Sequence, residues 1–148
     1  MKKVLIAYAS RTGHTEKVAT YIAEGVRMSG QEADLKKITD IEDISSIAGY
    51  DAYILGCPTY HRDMIGSMKT FLFKMENLEL MGKVGGAFGS YTHSGDAPKY
   101  VFDTMQYVFK MDMTDLGSLN VLEGEIGTPD SIKACQDYGR SVGAKLPK

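Results

Sequence analysis

The sequence predicts an α/β protein: a doubly wound parallel sheet with helices on both faces. Three observations carry that prediction. Short apolar runs such as Val4-Leu5-Ile6-Ala7-Tyr8 read as strands buried on both faces. Between the runs lie stretches with apolar residues at helical spacing. The two kinds alternate along the chain as βαβαβαβαβα, the order that crossover helices between parallel strands produce. At 148 residues the chain has the size of one domain, and a single domain over 1–148 is expected.

The first strand is expected over 4–8. A helix should follow over about 14–28, because Val18, Ile22 and Val26 repeat every four residues with Ala19 and Ala23 beside them, and Gly30 suits its end. Residues 33–38 read as a second strand and 40–44 as a helical turn. Residues 51–56 read as a third, buried strand. Met64, Met68, Phe71, Leu72 and Met75 mark one face of the next helix. A glycine-rich fourth strand is expected over 83–89. The following helix begins near Pro98, a good first-turn residue, with Val101, Phe102, Met105, Val108 and Phe109 as its apolar stripe. Residues 116–122 read as the fifth strand. Thr128-Pro129-Asp130 pairs a hydroxyl cap with a first-turn proline, and Ile132, Cys135, Tyr138 and Val142 of the last helix should face inward.

Composition narrows the function classes. The net charge of −2 and the absence of a basic stripe argue against nucleic acid. No apolar run approaches the roughly 20 residues that span a bilayer, and Arg11 follows the short basic start too soon for a secretory signal. Two cysteines, Cys57 and Cys135, make no disulfide framework, so a cytoplasmic location is expected.

In a sheet of this kind ligands bind beyond the carboxyl ends of the strands, where the strand order reverses. The loop after the first strand reads Ser10-Arg11-Thr12-Gly13-His14-Thr15. A helix N-terminus offers unpaired N–H groups and partial positive charge, Gly13 lets the backbone curl around an anion, and the hydroxyls add donors. The set suits a phosphate; it would equally serve as an ordinary helix cap. The nucleotide-triphosphate loop G-x-x-x-x-G-K-[ST] and the dinucleotide fingerprint G-x-G-x-x-G are both absent. Cys57 lies one residue too close to Arg62 for a phosphatase loop and reads as a buried structural thiol, as does Cys135. His14, His61 and His93 come from three separate loops without paired spacing, so no metal is expected.

Ser10-x-Thr12-Gly13-x-Thr15 resembles the phosphate loop of flavodoxins, [ST]-x-T-G-x-T. The resemblance extends over essentially the whole chain, with "GCPTY" after the third strand and "AFGSY" after the fourth. It implies a flavodoxin-like three-layer sandwich with five parallel strands in the order 2-1-3-4-5, and flavin mononucleotide (FMN) as cofactor. It implies a phosphate site at Ser10, Arg11, Thr12, Gly13, His14 and Thr15. In the second loop it places Pro58, Thr59, Tyr60, His61 and Arg62 against the flavin, with Tyr60 stacking on the ring and Thr59 contacting the ribityl or phosphate. In the third loop it places Ser90, Tyr91, His93 and Gly95. There flavodoxins often read "GSYGW"; the tryptophan is replaced by His93, so His93 or Tyr91 would cover the outer face.

The family usually has glycine after the position of Tyr60, often followed by an acidic residue. The glycine peptide flips on one-electron reduction to accept a hydrogen bond from the ring. Here His61 and Arg62 occupy those places. That one-electron stabilisation should be weaker, since a non-glycine residue resists such turns by roughly 1 kcal/mol. With Arg11, His14 and His61 nearby, Arg62 should also make the second reduction less negative than in acidic flavodoxins. The function implied is a low-potential electron carrier that shuttles electrons between redox enzymes, docking transiently with partner proteins such as reductases, as a monomer. "GCPTY" also resembles the "GTPTR" loop of FMN-dependent NAD(P)H:quinone reductases, although the chain lacks the insertions those enzymes usually carry. "GSYTHSGDAPK" resembles the third loop of the flavodoxin part of flavodiiron proteins. A non-flavin interaction module is the remaining alternative.

Overall fold

A computed structural model of the chain describes every residue except Arg11, His61, Arg62, Ser94 and Lys148, and describes Tyr60 by its backbone. β1 (Lys3–Tyr8) lies inside the sheet, parallel to β2 (Glu32–Lys37) on one side and β3 (Ala52–Gly56) on the other. β3 pairs in parallel with β6 (Val84–Tyr91). The next position is shared by two pieces: β7 (Asp112–Met113) pairs with the start of β6 and β8 (Leu119–Leu122) with its end. With β7 and β8 counted as one interrupted fifth strand, the order is the expected 2-1-3-4-5.

Alternation along β1 explains the three layers. Leu5 and Ala7 belong to a core with Met68, Phe71, Leu72 and Met75 of α2 (Gly66–Met75) and Val101 of α3 (Ala97–Asp103). Val4, Ile6 and Tyr8 belong to the opposite core with Val18, Ile22 and Val26 of α1 (His14–Met28) and Cys135, Tyr138 and Val142 of α4 (Pro129–Ala144). α1 and α4 meet closely through glycines. A Cβ on Gly139 would lie 2.1 Å from the Ile22 carbonyl oxygen, and one on Gly25 would lie 2.0 Å from that of Gln136.

Several sequence expectations need correction. The turn expected over 40–44 is two short 3₁₀ turns, Ile38–Asp40 and Ile44–Ile47. Met64 precedes α2 and lies in a small antiparallel hairpin, β4 (Thr59–Tyr60) with β5 (Asp63–Met64). The apolar stripe after Pro98 breaks at a π-helical segment, Thr104–Val108. Phe109 N–H reaches back five residues to Thr104 O at 3.1 Å, and this wider turn leaves Val108 exposed while Met105 and Phe109 stay buried. Ile132 is half-buried.

The fifth strand is interrupted for an identifiable reason. Opposite the gap, Ala87 of β6 has no strand partner on that side; its N–H donates to the buried Tyr138 hydroxyl at 2.9 Å. That hydroxyl lies 2.6 Å from Gly117 O and 3.0 Å from Ala87 O, both within reach of its hydrogen. An α4 side chain thus stands in for the missing ladder bonds.

Candidate functional site

The strand order reverses between β1 and β3, and the loops leaving β1, β3 and β6 gather at that end of the sheet. The first loop is pinned to its neighbour by Ala9 N–H donating to Gly56 O at 2.9 Å. Gly13 has φ 87°, in the left-handed region open to glycine, and its N–H donates to Ser10 Oγ at 2.9 Å. α1 then starts at His14.

Among the described residues the hydroxyls of Ser10, Thr12 and Thr15 all have partners, and none of them caps the first turn of α1. Ser10 Oγ accepts from Gly13. Thr12 Oγ1 lies 2.8 Å from His14 Nδ1. Thr15 Oγ1 is buried 3.0 Å from Ser90 Oγ, joining the first loop to the end of β6. Among the described residues no side chain caps α1, whereas Thr128 Oγ1 caps α4 by accepting from Ser131 N–H at 3.3 Å. The acidic residue of the first turn, Glu16, accepts from Tyr8 OH at 3.1 Å. Burial and this neighbour push the Tyr8 phenol up to about 12. An uncapped helix start behind a left-handed glycine fits a dianionic phosphate. The ordinary-cap reading of the same hydroxyls therefore does not describe this loop.

The second loop leaves β3 at Gly56, where a Cβ would lie 2.2 Å from the Phe88 ring. Cys57 N–H donates to Phe88 O at 3.2 Å, and burial pushes the Cys57 thiol up to about 12, in keeping with an inert structural thiol. Pro58 and Thr59 are half-buried. Thr59 Oγ1 accepts from Ala97 N–H at 3.1 Å, so it ties this loop to the start of α3, a role the sequence did not suggest. The β4–β5 hairpin pairs Thr59 with Met64 and Tyr60 with Asp63. Asp63 lies 2.5 Å from Lys69 Nζ, and that contact holds its carboxyl below the usual range. The expectations for Arg11, His61 and Arg62, and for the stacking side chain of Tyr60, fall outside the described residues.

In the third loop Ser90 is buried, Tyr91 and Gly95 half-buried and His93 exposed. Asn120 Nδ2 of β8 donates to Gly95 O, and a Cβ on Gly95 would collide with the Asn120 side chain. Glu123, in the 3₁₀ turn Glu123–Glu125 after β8, places Oε2 3.3 Å from His14 Nδ1. Sequence reasoning missed both. Asn120 had a signal, as a polar residue within Leu-Asn-Val-Leu; Glu123 had none, because its partner lies at the other end of the chain. Among the described residues no cluster of three or more metal-ligating side chains occurs, and no helix is long and apolar enough to cross a membrane.

Residues 6–134 match the family model described as Flavodoxin. An NAD(P)H dehydrogenase (quinone) of Cupriavidus metallidurans is 30% identical over 166 aligned positions, covering 96% of this chain and 83% of the relative. Those 166 positions exceed the 148 residues of this chain, so the relative carries inserted residues that this chain lacks. Oxidised Flavodoxin 1 from Bacillus cereus superposes with a TM-score of 0.85 at 25% identity, covering 99% of this chain and 100% of that one. The rubredoxin oxygen:oxidoreductase of Desulfovibrio gigas superposes with a TM-score of 0.86 at 25% identity over 98% of this chain, which spans 36% of that larger protein. With its fold, its strand order and most of its length in agreement, this chain belongs to the flavodoxin family, whose cofactor is FMN and whose chemistry is electron transfer.

Proposed function

We propose that this chain is a single-domain electron carrier that docks transiently, as a monomer, with redox partner proteins. Residues 10–15 would hold the phosphate of FMN, and the loops after β3 and β6 would hold its ring. The observation that carries the reading is the open start of α1 behind Gly13, where the hydroxyls of Ser10, Thr12 and Thr15 are partnered without capping the helix. FMN supplies the redox chemistry when bound; the protein binds and orients it and sets the electrostatics around it. Ser10, Arg11, Thr12, Gly13, His14 and Thr15 hold the phosphate. Pro58, Thr59, Tyr60, His61 and Arg62 of the second loop, with Ser90, Tyr91, His93 and Gly95 of the third, would hold the ring. The basic residues of the first two loops make full reduction easier than in acidic relatives.

The test is the visible spectrum of the purified protein with added FMN, followed by a redox titration. Binding with a flavin spectrum and a moderate second potential is expected. A protein that stays colourless would refute the FMN reading, and a very low second potential would refute the electrostatic one.

A second reading, an FMN-dependent NAD(P)H:quinone reductase, is favoured by the dehydrogenase relatives at 30% identity. The inserted residues of the relative weigh against it. Rapid turnover of the loaded protein with NADH and a quinone would establish it.

A further inference from the structure

We propose that Glu123 is a positioning residue for the FMN phosphate: it fixes the direction of a hydrogen-bond chain running through His14 to Thr12. This rests on the FMN reading above. Glu123 Oε2 and Thr12 Oγ1 both approach the same ring nitrogen, His14 Nδ1, at 3.3 Å and 2.8 Å. An ionised carboxylate only accepts hydrogen bonds, so Nδ1 beside it carries the hydrogen. A nitrogen that carries a hydrogen cannot accept one from Thr12. Thr12 Oγ1 therefore shares the one Nδ1 hydrogen with Glu123 Oε2 as a second acceptor, and its own hydrogen remains to be donated. Thr12 is exposed and immediately precedes Gly13, at the start of α1. The free hydrogen is then available to a phosphate oxygen.

Without Glu123, Nδ1 is free to be the bare nitrogen. Thr12 then donates to it and turns lone pairs toward the anion, which repels rather than binds. The consequence is opposite in sign to simple charge repulsion. A carboxylate near a dianion should weaken binding, so its removal should help; the hydrogen-bond chain makes removal harmful.

Apoprotein is titrated with FMN and with riboflavin, which lacks the phosphate. The set is wild type, Glu123→Ala, Glu123→Gln, Thr12→Val and the Thr12→Val/Glu123→Ala double variant. Glu123→Ala is expected to weaken FMN about tenfold and leave riboflavin within about twofold. Glu123→Gln keeps an acceptor oxygen without the charge and should retain most of the affinity. The double variant should bind FMN no more weakly than Thr12→Val, because both break one chain. Nitrogen NMR of the apoprotein should show His14 protonated at Nδ1, and that preference should vanish in Glu123→Ala. The proposal is overturned if Glu123→Ala binds FMN equally or more tightly, if riboflavin weakens in parallel, or if the two losses multiply. It is also overturned if Glu123→Gln matches the alanine variant or if the tautomer does not change. Wild-type protein that binds neither flavin overturns the FMN reading, and this inference with it.

Discussion

One absent methyl group shapes the first loop. Gly13 sits at φ 87° with open space where a Cβ would be, so substitution there meets backbone strain and no collision. Gly13→Ala should lower stability by about 1 kcal/mol, read as a shift in the urea midpoint, and should weaken FMN in a fluorescence titration as the loop relaxes. Gly56 is a different case, because its hydrogen faces the Phe88 ring. The pattern of Ser10, Thr12, Gly13 and Thr15 was legible because it is local, written within a few neighbouring residues between a strand and a helix. Asn120 and Glu123 were not, since Gly95 and His14 come to them only through the assembled sheet.

Between elements, two close approaches dominate. Alanine usually strengthens a helix interior relative to glycine by roughly 1 kcal/mol. At Gly139 that trend should reverse, because the new Cβ meets the Ile22 carbonyl oxygen and drives α1 from α4. Gly139→Ala should destabilise by about 1–3 kcal/mol in chemical denaturation. Tyr138→Phe keeps the ring but removes the hydroxyl serving Ala87 and Gly117. It should cost about 1–3 kcal/mol, the penalty for a buried donor left without an acceptor, and should speed amide exchange at Ala87. The same contacts explain what the sequence concealed. α1 has the expected bounds, His14–Met28, because its stripe and ends are written locally. The fifth strand reads as continuous over 116–122 because nothing near Gly117 announces a tyrosine arriving from α4. Val108 matches the helical period and is displaced by a turn one residue wider than that period assumes.

For the whole molecule, the buried thiols set an alkaline limit. Burial raises Cys57 to about 12 and Cys135 to about 11, from an ordinary 9.0, and raises the Tyr138 phenol as well. Above pH 9 the unfolded chain releases thiol protons that the native protein retains. Stability from these groups is therefore complete below that pH and is lost as the pH climbs toward 11 to 12. The loss is at most about 1.4 kcal/mol per pH unit for each group. The urea midpoint should fall between about pH 8 and pH 10.5, and less steeply in Cys57→Ala. At neutral pH both thiols should resist alkylation until the protein unfolds.

The buried Thr15–Ser90 contact joins residues far apart in sequence, and each hydroxyl is reached only after β1, β3 and β6 lie side by side. A pocket built on that contact should be complete only once the three strands have assembled. A ligand that recognises only the finished form acts as a latch: it should slow the opening of the native protein and leave the rate of its formation almost unchanged.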